Sequence, residues 1–234
     1  MSLKVFADHF SMPSRAVMTL LDVNKISYEL KEVRLSKKEQ RSEEYLKVNP
    51  FGYLPSLIDG DFKLFESHAI MRYICRTRNL PDHWYPKDPK AAAIVDMYLD
   101  AHHTSTRPMH VGLALHINNR AKYPSYSKME SEMALMKKIF SDFDSVWLKD
   151  TPYILRNEIS IADISAFSEI ISLLSTDFSF KSYPHMIEYL HRILSVPEVR
   201  KSHAKAFYIF NKINPVFGDR LKELKFDLKD VGLN

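Results

Sequence analysis

Glycine is scarce in this chain: five residues in 234, at positions 52, 60, 112, 218 and 232, against a typical usage of about 7%. Loops that cradle nucleotide phosphates need clustered glycines, and neither G-x-G-x-x-G nor G-x-x-x-x-G-K-[ST] fits those positions. A glycine-loop nucleotide enzyme is excluded. Cysteine occurs once, at Cys75, which excludes an internal disulfide framework and a zinc site built from several thiolates. Within the apolar Tyr73-Ile74-Cys75-Arg76 it reads as a small buried hydrophobe rather than a nucleophile. No apolar run approaches the roughly 18 residues that span a bilayer. The opening residues reach Asp8 and His9 before a signal-peptide apolar stretch develops, and Val231-Gly232-Leu233-Asn234 is neither a retention nor a peroxisomal signal. A cytoplasmic protein with no membrane partner is expected. Charge of one sign is also in short supply: 33 Lys and Arg face 29 Asp and Glu, a net +4. The excess is dispersed, without a basic stripe interleaved with aromatics, so no nucleic-acid partner is expected.

Ten histidines are present, yet their spacing does not assemble a metal site. His102 and His103 are adjacent and point about 100° apart on a helix. His103 and His110 are interrupted by Pro108, and no H-E-x-x-H occurs. No metal and no cofactor are expected.

With 45% hydrophobic and 26% charged residues the chain has an ordinary globular composition, long for one domain and comfortable for two. Leu3 to Ala7 reads as a buried strand. Pro13 suits the first turn of a helix that continues through Ala16-Val17-Met18-Thr19-Leu20-Leu21. Tyr28 to Val33 begins with apolar–polar alternation, a second strand, and a β-α-β crossover makes that pair parallel. Asp59-Gly60-Asp61 between two short apolar runs signals a hairpin. Glu66-Ser67-His68 then opens a helix over Ala69 to Arg76. The order β-α-β, β-β-α within residues 1–80 is the layout of a thioredoxin-like domain. Residues 81–89, rich in proline, read as a linker, and residues 90–234 carry helix patterns only: an all-α second domain. Met129, Met133, Met136, Phe140, Phe143 and Trp147 form a one-faced stripe suited to core packing. Ser160 and Asp163 form a capping box with Ile159 and Ile164 as its staple.

Three clusters can carry chemistry, and each has a second, purely local reading. Phe10-Ser11-Met12-Pro13-Ser14-Arg15 puts hydroxyls at a helix start, as caps or as part of an anion site. Leu54-Pro55 is a tight turn, which also leaves the backbone of Leu54 free to pair with an extended peptide. Glu66-Ser67 is a cap, or a carboxylate for an ammonium beside a hydroxyl and free N–H groups for a carboxylate.

Taken together, Val48-Asn49-Pro50, Leu54-Pro55, Glu66-Ser67-x-Ala69-Ile70, the proline linker and Ser160-Ile161-Ala162-Asp163 resemble the cytosolic glutathione transferases over nearly the whole chain. Ser11 followed by Pro13-Ser14-Arg15-Ala16-Val17 is most similar to the theta class, which uses serine. The resemblance implies the glutathione transferase fold, glutathione as cosubstrate, a homodimer, and small hydrophobic electrophiles such as alkyl halides and epoxides, with organic hydroperoxides as a further class. It implies that Ser11 donates to the glutathione sulfur, Glu66 takes the γ-glutamyl ammonium, Ser67 its carboxylate, and the backbone at Leu54 and Pro55 the cysteinyl unit. The glycine carboxylate falls near Gln40 and Arg41, with Gln40 standing where theta-class members usually carry His. His103 and Arg107 are the candidates for the electrophile site, Arg107 having a surface arginine as its alternative. Pro108 is expected to end or kink its helix, and the helix at 218–224 to be either a lid or a frayed tail. The alternative function is a transferase-like domain kept as a non-catalytic interaction or ligand-binding module.

Overall fold

The structure, a computed structural model, describes residues 3–108, 126–176 and 179–232, the side chains of 126–133 and 231 apart. Strand β1 (Leu3–Ala7) buries Leu3, Val5 and Ala7 on one face. It lies at the centre of a four-stranded sheet of order β2-β1-β3-β4. Helix α1 (Met12–Val23) crosses over to β2 (Tyr28–Glu32), so β1 and β2 pair in parallel, Leu3 against Tyr28 and Ala7 against Glu32. As an edge strand, β2 is half-buried at Tyr28 and exposed beyond it. The polar stretch after β2 folds into two 3₁₀ turns, Leu35–Lys37 and Glu39–Arg41, and the short helix α2 (Glu43–Leu46).

The Asp-Gly hairpin forms as its sequence dictates. Strands β3 (Ser56–Asp59) and β4 (Phe62–Phe65) pair antiparallel around Gly60, whose φ is +67°. Val5 faces Leu57 across the β1–β3 pair. Helix α3 (Ser67–Thr77) follows and buries Ile70, Met71, Ile74 and Cys75. Burial pushes the Cys75 thiol up to about 12, so it is an inert core group.

The proline-rich segment is not slack. Trp84 and Tyr85 are buried, the Ile161 N–H donates to the Trp84 carbonyl at 3.0 Å, and the Tyr85 hydroxyl donates to Asp96 at 2.9 Å. Helix α4 (Pro89–Ala101) begins on an Asp88 cap. It ends seven residues before Pro108, earlier than the proline alone requires. The Thr104 and Ser105 hydroxyls donate to the Ala101 carbonyl at 3.2 and 2.7 Å, beside their own N–H groups at 3.1 and 2.9 Å.

Helix α5 (Tyr126–Asp142) closes in a π turn, Phe143–Trp147. Of the expected stripe, Met136, Phe140 and Phe143 are buried and Trp147 is half-buried; Met129 and Met133, like His110, lie outside the described side chains. Helix α6 (Ile161–Ile170) is buried at every residue, Asp163, Ser165, Ser168 and Glu169 included. It continues into the 3₁₀ turn Ile171–Ser175. Helices α7 (Pro184–Leu194), α8 (Pro197–Ile213) and α9 (Val216–Glu223) complete the helical half. Helix α1 packs against α6 and α8, which joins the two halves through one core. The tail docks rather than frays: Phe217 and Leu221 of α9 are fully buried, with Phe217 5.5 Å from Phe207 and 5.4 Å from Phe210. No helix among the described residues is long and apolar enough to cross a membrane.

Candidate active site

Ser11 caps α1. Its backbone is extended (φ −77°, ψ 119°), its hydroxyl oxygen accepts from the Ser14 N–H at 3.4 Å, and it is 7% exposed. Accepting there leaves the hydroxyl proton free to donate, beside the N–H groups and positive dipole end of a twelve-residue helix. The hydroxyl faces a cavity of about 240 Å³ that Gln40, Arg41, Tyr53, Leu54 and Arg107 also line. A second lobe of about 230 Å³ is lined by Leu54, Pro55, Glu66, Ser67, His103 and Arg107, with His68 and His102 behind. Pro13, Tyr53, Leu54 and Arg107 border both lobes.

The wall between the lobes is the Leu54–Pro55 turn, a cis peptide. Among the described residues neither the N–H nor the C=O of Leu54 is paired. The turn is fixed from behind: Tyr45 and Asn49 donate to the Tyr53 carbonyl at 2.6 and 2.9 Å. Asn49 is buried, and its carboxamide oxygen accepts from the Phe51 N–H at 3.0 Å. That gives the Val48-Asn49-Pro50 motif a structural purpose its sequence did not declare.

Glu66 sits at the N-cap of α3 with φ +69°, a left-handed backbone that a non-glycine residue adopts at a cost. Its side chain makes no capping bond and stays exposed at the cavity mouth, beside Ser67 in the first turn of the helix. Gln40 and Arg41 are brought to the cavity by the Glu39–Arg41 turn. The Gln40 carboxamide oxygen is buried with no partner among the described residues. Arg41 donates to the Phe51 carbonyl at 2.9 Å and lies 5.4 Å from the Tyr53 ring.

Behind the second lobe the two halves together supply a histidine cluster that spacing did not reveal, His68 from α3 and His102 and His103 from the turn after α4. His68 lies 5.0 Å from His102 and 5.2 Å from His103, ring to ring, and its Nε2 is 2.8 Å from the Ser165 hydroxyl. Burial, then the neighbouring His102 and His103, drive His68 down to about 2, so it is neutral. Arg107 donates to Glu169 at 2.5 Å, and that carboxylate, 3% exposed, sits 3.7 Å from His102 Nε2. Arg107 is thus an ion-paired cation bordering both lobes, its side chain 39% exposed. Among the described residues no three His, Cys, Asp or Glu side chains are gathered as metal ligands.

Arg15 is the other group missed in sequence. It is fully buried, and its guanidinium donates to the His9 and Phe10 carbonyls at 2.9 and 3.1 Å and to Ser168 O and Ser172 Oγ at 2.7 and 2.5 Å. Burial lowers it to about 10, which leaves it charged. It ties the loop that ends at Ser11 to α6. A lone arginine inside the apolar start of α1 was the available signal. No residue lining the two lobes comes from 216–232, so the tail is packed onto α8 and does not cover these lobes.

A thioredoxin-like sheet half that offers a serine hydroxyl, joined to an all-helical half that closes the cavity over it, defines a two-part transferase architecture. Residues 1–76 match the model for the glutathione S-transferase N-terminal domain, and residues 116–205 that for the C-terminal domain. The chain is 38% identical over 183 residues to glutathione S-transferase T1 of Arabidopsis thaliana, covering 76% of this chain and 75% of the relative. It is 32% identical over 198 residues to human glutathione S-transferase theta-2, covering 82% and 81%. The crystal structure of human glutathione transferase theta-2 in complex with glutathione and an unknown ligand superposes with a TM-score of 0.84 at 28% identity, over 96% of this chain and 99% of that one. The chain belongs to the glutathione S-transferase family, and its relatives are of the theta class.

Proposed function

We propose that this protein activates glutathione as a thiolate at Ser11 and adds it to small hydrophobic electrophiles. The observation that carries the reading is the unspent Ser11 O–H at the start of α1, in a cavity shared with the unpaired Leu54 backbone. A free thiol titrates near 8.5, so little of it is anionic at pH 7. A donated hydrogen bond and a helix N-terminus stabilise the anion. The thiol proton leaves to solvent, the sulfur lone pair attacks carbon, and halide departs or an epoxide oxygen takes up a proton. Glu66 takes the γ-glutamyl ammonium, Ser67 its carboxylate, Leu54 and Pro55 the cysteinyl backbone, and Gln40 with Arg41 the glycine carboxylate. We assign residues 1–80 to glutathione, 90–234 to the electrophile, and 81–89 to the link between them.

A structure of a human theta-class glutathione transferase is in complex with the glutathione conjugate of 1-menaphthyl sulfate, at TM-score 0.84 and 28% identity. Arg107 borders both lobes here, and an arylmethyl sulfate with its anionic leaving group belongs in the electrophile panel beside alkyl halides, epoxides and hydroperoxides. A homodimer in the cytoplasm goes with this reading: Phe51, Ile94 and Met97 are exposed apolar groups that a second copy would cover.

The test is Ser11→Ala. One hydrogen bond to a charged group is worth about 1.5–3 kcal/mol, so kcat/KM at pH 7 should fall by roughly 10- to 150-fold. The apparent pKa of conjugation should rise toward that of the free thiol. An unchanged pH profile removes Ser11 from its role. Glutathione binding without turnover on any electrophile in the panel would favour the non-catalytic module instead.

A further inference from the structure

The second lobe asks for more donors than Ser67 supplies. A γ-glutamyl group carries an ammonium and a carboxylate on one carbon, so a site that presents Glu66 to the first must offset its repulsion of the second. Ser67 and the N-terminus of α3 give one hydroxyl and a partial positive charge. Four cationic or imidazole groups line the lobe, and three of them are directed elsewhere: His102 is buried with its Nε2 3.7 Å from Glu169. Arg107 is bound to Glu169 at 2.5 Å, and His68 Nε2 is 2.8 Å from the Ser165 hydroxyl. His103 is different. It lines this lobe with Glu66 and Ser67 and does not line the lobe of Ser11. Neither of its ring nitrogens has a hydrogen-bond partner among the described residues. Its ring is nevertheless located, 5.2 Å from His68 and 5.8 Å from His102. An exposed imidazole with both nitrogens free of partners among the described residues, lining the lobe with Glu66 and Ser67, is a donor available to an anion.

We propose that His103 belongs to the glutathione site, where it donates to the α-carboxylate of the γ-glutamyl unit, and is not a wall of the electrophile site. The inference rests on the glutathione reading above and adds a residue to it. Burial, His102 and Arg107 hold His103 below its ordinary value while Glu66 and Asp100 pull the other way, so near neutral pH it donates as an uncharged imidazole. Its place in the six-residue turn after α4 follows from the early end of that helix.

The test is calorimetry at pH 7 with two ligands: glutathione, and 4-aminobutyryl-cysteinyl-glycine, which keeps the ammonium and lacks the α-carboxylate. His103→Phe should weaken glutathione about tenfold and the analogue less than twofold, as loss of one donor to a charged group requires. His103→Gln, which retains a neutral donor, should recover most of the loss. The KM for the electrophile should stay unchanged in both variants. Equal weakening of both ligands, or a glutathione Kd within twofold of the parent alongside a raised electrophile KM, overturns the assignment and leaves the transferase reading standing. A parent protein that binds no glutathione overturns both.

Discussion

At Gly52 a single side chain decides the shape of the glycine-carboxylate end of the cavity. Its φ is +64°, and an added Cβ would lie 2.8 Å from the Gln40 carbonyl oxygen and 2.8 Å from Arg41 Nη1. Neither the conformation nor the backbone oxygen can accommodate it. Gly52→Ala should cost about 1–2 kcal/mol of stability in urea unfolding and raise the KM for glutathione while leaving that for the electrophile near its original value. Arg15 is the second residue on which much depends. Arg15→Leu strips the donor from three backbone carbonyls and Ser172, and at about 1–3 kcal/mol for each buried group left unsatisfied the loss should exceed 3 kcal/mol. Arg15→Lys should recover little, since an ammonium cannot reproduce the planar fork. The sequence made Ser11, Leu54, Glu66 and Ser67 legible because each stands in a local motif. Arg15, His68 and Glu169 were not, because their partners lie on helices far along the chain: Ser168 is 153 residues from Arg15.

Elements were readable where their signals are short-range. The capping box of α6 is an i, i+3 pattern, and both halves form: Ser160 N–H donates to Asp163 Oδ2 at 2.7 Å and Ala162 N–H to Ser160 Oγ at 3.2 Å. Its third partner was invisible. The Ile154 N–H donates to Asp163 Oδ1 at 2.9 Å, so one buried carboxylate starts the helix and pins the preceding loop. Asp163→Ala leaves the Ile154 and Ser160 amides without acceptors, and at about 1–3 kcal/mol apiece it should cost roughly 2–6 kcal/mol. Ser160→Ala, which removes only the cap, should cost about 1 kcal/mol. Thermal melts that rank the two the other way would show that the loop contact carries nothing. The early end of α4 is the converse case. Proline was the visible stop signal, yet the helix ends seven residues before it, where the Ala101 carbonyl accepts from the Thr104 and Ser105 hydroxyls as well as from their N–H groups.

Across the whole molecule the joint between the halves is where histidines are buried, and that fixes how stability responds to acid. His68 is driven to about 2 and His203, fully buried beside Thr19 and Ser168, well below its ordinary value, both chiefly by burial. The unfolded chain binds a proton at each below about pH 6.5 and the native state does not, so the contribution is complete above that value and is lost as pH falls. Between pH 7 and pH 5 each histidine should remove about 2 kcal/mol. Asp163 works in the opposite direction over the same window. Raised to about 6 by burial, it takes up a proton in the native state before the unfolded chain does, returning about 1 kcal/mol. The net loss should be about 3 kcal/mol, equivalent to a Tm roughly 6–12 °C lower at pH 5 than at pH 7. His68→Gln keeps a hydrogen bond to Ser165 within reach and removes the titration, so it should flatten about two-thirds of that decline, whereas Asp163→Asn should steepen it. Calorimetric scans of the three proteins at pH 7, 6 and 5 separate these effects. A parent Tm that holds level across the range would mean that the joint opens to water and its histidines titrate freely, in which case the two halves do not share the single dry core on which the position of Ser11 relative to α6 depends.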